Sequence, residues 1–336
     1  MRSFNQLPTA LLVLLATTTT AWPAARLNPV PVVDDGSAPL ELLGDLKNGI
    51  TTPTGQLIAD IISGPTSGQS QAIGKIPSPL RLAKPTHAAF GFHDAGTWSK
   101  QLTAQGQDFG GADGSLLMKF GEDGRKENNG LQGIIAKLRV VQATFKVGYA
   151  DLVQYAANHA TVTCPLGPRI RTFIGRKDAT RAAPDGLLPD VRADPDSLIA
   201  LFEDKTFDAH SLAALLGAHS TSRQFNFDTK RSGAPQDSTP GVWDVNFYNE
   251  TIQTKPRKQL VILPSDVALA KHPKISDEWN SFINDQNHWN EDYATAYVRM
   301  SLLGVPNINN LTECTMTLPK ARPGEKALAQ ALDATE

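Results

Sequence analysis

The chain has 336 residues, with 32 Lys+Arg against 34 Asp+Glu, a formal net charge of −2, 40% hydrophobic and 20% charged residues; this is the composition of an ordinary folded protein. Its 26 Gly and 23 Pro, about 15% of the chain, stay well below a low-complexity composition, and a near-neutral balance without a basic block excludes the electrostatic footprint of a nucleic-acid or anionic-membrane binder. Two cysteines, Cys164 and Cys314, allow at most one internal disulfide and neither a zinc ribbon nor a disulfide scaffold.

Arg2 precedes an apolar run from Leu7 to Ala16, followed by Thr-rich and small residues up to Ala25. The pattern predicts a secretory signal peptide over residues 1–21, too short to span a bilayer, and hence a secreted, soluble mature protein. The sequons Asn249-Glu-Thr and Asn310-Leu-Thr fit that compartment. After a Pro-rich leader over 22–45, helical spacing dominates. Leu131, Ile134, Ile135 and Leu138 recur at i, i+3, i+4, i+7, as do Leu212, Leu215, Leu216 and His219, and Trp279 to Val305 holds no Pro and keeps a helical alternation. Strand-like alternation is scarce. Gly/Pro/Asp/Ser-rich connections fall at 110–115, 182–195 and 233–244. A mostly α protein is predicted, with one domain over 46–318 and a frayed tail over 319–336.

His219 falls on the apolar face of its predicted helix. Its ring is either a hydrogen-bonded core imidazole or a ligand. His93 is followed at once by Asp94, a pairing that decides nothing alone. The loop GGADGS sets Asp113 and Ser115 two residues apart between glycines, and DSTPGVWD sets Asp237, Thr239 and Asp244 around a Pro240-Gly241 turn. Such oxygen-rich loops supply either hard-cation ligands or ordinary Asx-turns.

The strings FHDAGTW, GGADGSL, ENNGL, CPLGPRI…GRKDA…PDGLLPD, LLGAHS, DSTPGVWD and LPSD follow one another across roughly residues 80–270. In that order they resemble the plant-type haem peroxidases, most closely the secreted fungal branch. The resemblance implies a single-domain fold of about ten helices in two halves that sandwich a b-type haem, with little β structure. It implies that His219 is the proximal iron ligand, with Asp266 of LPSD accepting from its second nitrogen and making it more basic; Asp266 is equally placed to cap the helix that begins VALAK. His93 matches the distal base that moves a proton between the peroxide oxygens, Asn128 the residue that fixes its tautomer, and Phe92 the aromatic wall. Glu122 stands near the acid that supports this network. Two calcium ions are implied: a distal one on Asp94, Gly111, Asp113 and Ser115, and a proximal one on Ser220, Asp237, Thr239, Val242 and Asp244. Hydrogen peroxide and small organic reductants are the implied partners of a secreted monomer, without nucleic acid or membrane.

Two departures stand out. The family's arginine four residues before the distal histidine is replaced here by Ala89, whereas Arg81-Leu82-Ala83 joined to Phe92-His93 would restore the motif. Residues 84–91, KPTHAAFG, therefore read as an insertion, with Pro85 as a helix breaker and His87 incidental. It leaves three readings: a loop that lets Arg81 reach the pocket, a gene-model splice error, or a haem-binding peroxide scavenger with weakened turnover. Ala214, Phe225 and Gln236 also stand where specialised relatives carry a surface tryptophan, a manganese-binding acid and a radical-bearing aromatic, which leaves small phenolic or dye-like donors as the expected substrates. Cys164 and Cys314 resemble halves of two different disulfides, Asp277 replacing the partner of Cys314, and are not expected to pair.

Overall fold

The computed structural model describes residues 88–321 except 108 and 256. The expected signal peptide, leader, Arg81 and most of the C-terminal tail lie outside the described residues. Within them the chain is helical: α1 (Ala88–Ala95), α2 (Lys100–Ala104), α3 (Gln132–Phe145), α4 (Tyr149–Thr163), α5 (Pro195–Asp204), α6 (Ala209–Leu216), α7 (Asn246–Thr251), α8 (Pro264–Ala270), α9 (Ser276–Ser281) and α10 (Gln286–Met300). A two-residue antiparallel ribbon, β1 (Phe173–Ile174) with β2 (Thr312–Glu313), pairs Phe173 with Glu313 and Ile174 with Thr312.

The helix starts are written in the sequence. Asp194, Asp208 and Asp285 each accept a backbone N–H three residues on, from Ser197 (2.9 Å), Ser211 (2.8 Å) and His288 (3.0 Å), satisfying donors that a first turn leaves open. Pro195 and Pro264 occupy first-turn positions where a missing N–H costs nothing.

Two elements predicted as continuous are broken. The stretch from Trp279 to Val305 divides into α9 and α10, because Asn284 takes a left-handed conformation (φ 63°) and Asp285 restarts the helix as a cap. The segment carrying Leu212 to His219 is α-helical only to Leu216; Gly217–Thr221 tightens into a 3₁₀ turn, so His219 rides on that turn rather than on α6.

The apolar interior forms two clusters. One gathers α5 to α10 around Trp243, Phe247, Tyr248, Trp279, Trp289 and Tyr293. The other packs α3 against the α4 face bearing Leu152, Val153, Tyr155, Ala156 and Val162, with Phe90 of α1. Between them α4 is buried along nearly its whole length, from Ala150 to Val162. α1 lies against α4 so closely that a Cβ on Gly91 would sit 2.8 Å from Ala157 Cβ and collide with Tyr297 Oη, while Gln154 Nε2 donates to Gly91 O at 3.1 Å. Arg176 ties α4 to the end of α10, pairing with Asp151 at 3.1 Å and donating to Ser301 O. Cys164 belongs to the first cluster and Cys314 to the second, and no disulfide joins them.

Candidate active site

A cavity of about 550 Å³ opens beside α1. Its wall is mostly apolar: Phe92 of α1, Leu131, Phe202 of α5, Leu212, Leu215 and Leu216 of α6, Leu263 and Leu269 near α8, and Met300 of α10. Two imidazoles, His93 and His219, face into it with Asp266.

Each imidazole is held through the same ring atom. His93 Nδ1 lies 3.0 Å from Asn128 Oδ1. Asn128 Nδ2 donates to the Glu122 carbonyl at 2.8 Å, and since a carbonyl only accepts, the Asn128 amide must present its oxygen to the ring. His93 therefore carries its proton on Nδ1 and keeps a lone pair on Nε2. Burial lowers the pKa of His93, the hydrogen bond it donates to Asn128 opposes this, and the nearby His219 lowers it further. The net direction is down, which favours the neutral ring, the form that accepts a proton.

His219 Nδ1 lies 3.1 Å from Asp266 Oδ2, and because a carboxylate accepts, Nδ1 carries a hydrogen and donates it. Burial pushes the His219 pKa down, but the charge and hydrogen bond of Asp266 outweigh it and the net direction is up. The ring is 30% exposed, and that exposure is toward the cavity it lines. Phe247 meets the His219 ring edge-on with centroids 5.6 Å apart, and Phe92 meets His93 edge-on at 5.6 Å while stacking on Phe202 at 6.0 Å.

The sequence pointed to Glu122 through its acid group. The structure brings it into the His93 network through its backbone carbonyl, while its carboxylate Oε1 accepts from Ala183 N at 2.9 Å. Arg125, which sequence reasoning passed over, clamps the same loop by donating to Ala183 O (2.7 Å) and Pro184 O (3.1 Å). That loop carries Leu188 and Pro189 into the cavity wall. Phe202 was missed as well; only its place in the apolar pattern of α5 marks it.

Of the segment 84–91, residues 84–87 lie outside the described residues. Ala88–Gly91 form the first turn of α1, because Phe90 is buried in the second apolar cluster and Gly91 permits the close approach to α4. Ala89 thereby lies one helical turn before His93 and lines the cavity. Ala214 is 0% exposed, its carbonyl accepting from Trp289 Nε1 at 2.9 Å, so that position has no outlet to the surface. Phe225 is 42% exposed and lines the cavity, and Gln236 is buried in its wall.

The oxygen-rich loops lie beside the two histidines. Asp94, fully buried, accepts from Gly114 N (3.1 Å) and Leu116 N (3.3 Å), which binds α1 to the loop carrying Gly111, Asp113 and Ser115. Gly111 has φ 107°, and a Cβ there would strike the Leu303 carbonyl. On the other side Gln236 N donates to Ser222 O (3.3 Å), laying the loop with Asp237, Thr239, Val242 and Asp244 next to the turn that holds Ser220. Thr239 N donates to Asp237 Oδ1 (3.0 Å), Val242 N to Thr239 O (2.9 Å) and Asn246 N to Asp244 Oδ1 (3.0 Å).

Each loop leaves buried oxygens without a hydrogen-bond partner: Ser115 Oγ in one, Ser220 Oγ and Asp237 Oδ2 in the other. Burial and the Asp113 carboxylate push Asp94 well above the ordinary range, burial raises Asp113 to about 6, and burial with Asp244 raises Asp237 to about 9. Buried acids crowded together and hydroxyls aimed at no donor form a donor set that a hard cation satisfies.

A family profile described as Peroxidase matches residues 81–285. Among curated proteins, the chain is 33% identical over 250 residues to "Ligninase H2" of Phanerodontia chrysosporium, covering 69% of this chain and 67% of that protein. It is 32% identical over 250 residues to "Low-redox potential peroxidase" of Taiwanofungus camphoratus, covering 69% and 74%, and 32% identical over 247 residues to "Peroxidase" of Arthromyces ramosus, covering 68% of each.

Proposed function

Because this chain belongs to the peroxidase family of haem enzymes, we propose that it is a secreted peroxidase of the fungal type, with haem b between His93 and His219 and small phenolic donors as reductants. The observation that carries this reading is the pair of imidazoles lining one apolar cavity, each anchored through Nδ1, His93 by the Asn128 amide oxygen and His219 by the Asp266 carboxylate. A cavity of about 550 Å³ with apolar walls is of the size that encloses a cofactor.

Haem bound there supplies an iron centre that accepts two oxidising equivalents from hydrogen peroxide and passes them on one at a time. The chain does the rest. His219 would hold the haem iron through the ring nitrogen opposite Nδ1, and Asp266, by accepting from Nδ1, makes that nitrogen more basic and fixes the ring plane. His93 Nε2 would be the atom that takes a proton from hydrogen peroxide and gives it back to the oxygen released as water. Asn128 holds the tautomer that makes this possible. Phe92 and Phe202 keep bulk water from the proton's path, and Phe225, half in solvent at the cavity wall, is a surface against which an aromatic donor packs. Calcium on Asp94, Gly111, Asp113 and Ser115 would stiffen the residue next to His93, and calcium on Ser220, Asp237, Thr239, Val242 and Asp244 the residue next to His219.

Replacing His219 by Ala is expected to abolish the Soret band of the purified protein. His93→Ala is expected to keep the band and slow the reaction with peroxide by ~10²–10⁴-fold. Unchanged spectra in the first variant, or unchanged peroxide kinetics in the second, refute the respective assignment.

Ala89 favours a second reading, a haem-binding peroxide scavenger with weakened turnover. A guanidinium one turn before His93 would stabilise charge on the departing oxygen, and Ala89 contributes only a methyl group to the cavity wall. If the site lacks that donor, Ala89→Arg should accelerate the stopped-flow reaction with peroxide by ~10²–10³-fold. A wild-type rate that Ala89→Arg does not raise would show that another group, Arg81 among them, already supplies the charge.

A further inference from the structure

Residues that line the cavity and are also exposed mark its mouth. Among them are Lys126, Asn129 and Gly130 on one segment, and Gly186 and Asp190 on another. The second segment, residues 183–191, is a strap without regular secondary structure that also turns Leu188 and Pro189 into the cavity wall. Its two ends are tied to the supports of the two histidines. At one end Ala183 N donates to Glu122 Oε1 at 2.9 Å, and the Glu122 carbonyl accepts from Asn128, the partner of His93. At the other end Val191 O accepts from Ser265 N at 3.1 Å, one residue before Asp266, the partner of His219. Leu188 rests on the end of α1, where a Cβ on Gly96 would sit 3.0 Å from its Cδ2.

Arg125 crosses from the first segment to the strap. Its Nη2 donates to Ala183 O at 2.7 Å and its Nη1 to Pro184 O at 3.1 Å. The carboxylates of Glu122 (3.7 Å) and Asp185 (3.9 Å) flank the guanidinium. Hydrogen bonds donated by a charged group are among the strong ones, and the planar fork of arginine reaches two acceptors at once. The side chain is only 19% exposed, so water competes little for these donors. Lys126 follows Arg125 directly, and the Arg125 carbonyl accepts from Asn128 N at 3.1 Å. One residue thus holds both lips of the mouth, yet forms no part of the cavity wall.

We propose that Arg125 is a positioning residue that sets donor specificity: by tying the strap to the segment of Lys126, Asn129 and Gly130 it fixes the width of the mouth and favours single-ring donors over bulkier ones. It acts through the strap, without touching the donor. This inference rests on the peroxidase reading above.

The test compares haem-loaded wild type with Arg125→Lys and Arg125→Ala, using hydroquinone and bisphenol A as donors. Both are uncharged, so loss of a cation does not itself bias the comparison. Lysine keeps the charge beside Glu122 but lacks the fork that spans two carbonyls. Both variants are expected to lower the KM for bisphenol A relative to that for hydroquinone, Arg125→Ala by at least ~fivefold and Arg125→Lys by less, with the Soret band and the stopped-flow peroxide rate unchanged. Chymotryptic cleavage at Leu187 and Leu188 should accelerate at least ~fivefold in Arg125→Ala, with no new cleavage elsewhere. Arg139→Ala, which frees Leu117 O, Met118 O and Asp123 but touches no strap residue, should change neither readout. An unchanged KM ratio, unchanged cleavage of the strap, or an equal shift in Arg139→Ala overturns the proposal. A wild-type protein without a Soret band refutes the peroxidase reading instead, and cleavage still decides whether Arg125 holds the strap.

Discussion

His159 sits inside α4, and burial lowers its pKa from the ordinary 6.5 to about 4. The unfolded chain accepts a proton on this ring that the folded one refuses. Stability from the neutral ring is therefore complete above pH 6.5 and is lost as pH falls from 6.5 toward 4, by about 3 kcal/mol at the lower end. His159→Gln should flatten the slope of denaturant-derived stability between pH 6.5 and 4 relative to wild type; parallel slopes would remove His159 from the account. His93 and His219 were legible in the sequence because each stands in a string of distinctive neighbours. Their supports were legible only in part. Asn128 and Asp266 carry side chains whose chemistry suits the task, but the share of Glu122 is a backbone carbonyl, which every residue possesses and no motif can single out.

At the scale of elements, the approach of α1 to α4 decides how firmly His93 is placed. Gly91 makes it possible, since an added methyl would press on Ala157 and on the Tyr297 hydroxyl, the end of a buried side chain. Gly91→Ala should destabilise the protein by roughly 1–3 kcal/mol through overpacking, measured as a lower denaturation midpoint, and should slow the peroxide reaction by shifting α1. A midpoint at or above that of wild type would mean that the helices can part without cost. Periodicity alone marked α3 and the apolar face of α6 well. It overran both the His219 turn and the α9–α10 junction, because an apolar repeat reports which face is buried and is blind to a backbone that tightens to 3₁₀ or turns left-handed at Asn284. Residues 88–91 illustrate the reverse: the chain reads there as an interruption, yet burying Phe90 repays a helix.

For the molecule as a whole, the two oxygen-rich loops flank the cavity from positions covalently next to the two histidines, Asp94 to His93 and Ser220 to His219. Chelation should therefore act on stability and on the cavity together. Treating the haem-loaded protein with EGTA is expected to lower the melting temperature by roughly 5–10 °C, reversibly on adding calcium back. A melting curve indifferent to both treatments would empty both sites. The ordered motifs made the mostly α peroxidase architecture legible before any coordinates. The surface ion-pair group of His210, Glu278, His288 and Asp292 was not, because its members come from three helices and only their packing brings them together. The void beside α1 has one more implication, for biogenesis. Leucines and phenylalanines supply much of its apolar wall, so under the proposed reading a newly made chain lacking porphyrin would hold greasy surfaces apart with nothing to fill the gap, and prosthetic-group supply would govern how many molecules mature rather than clump.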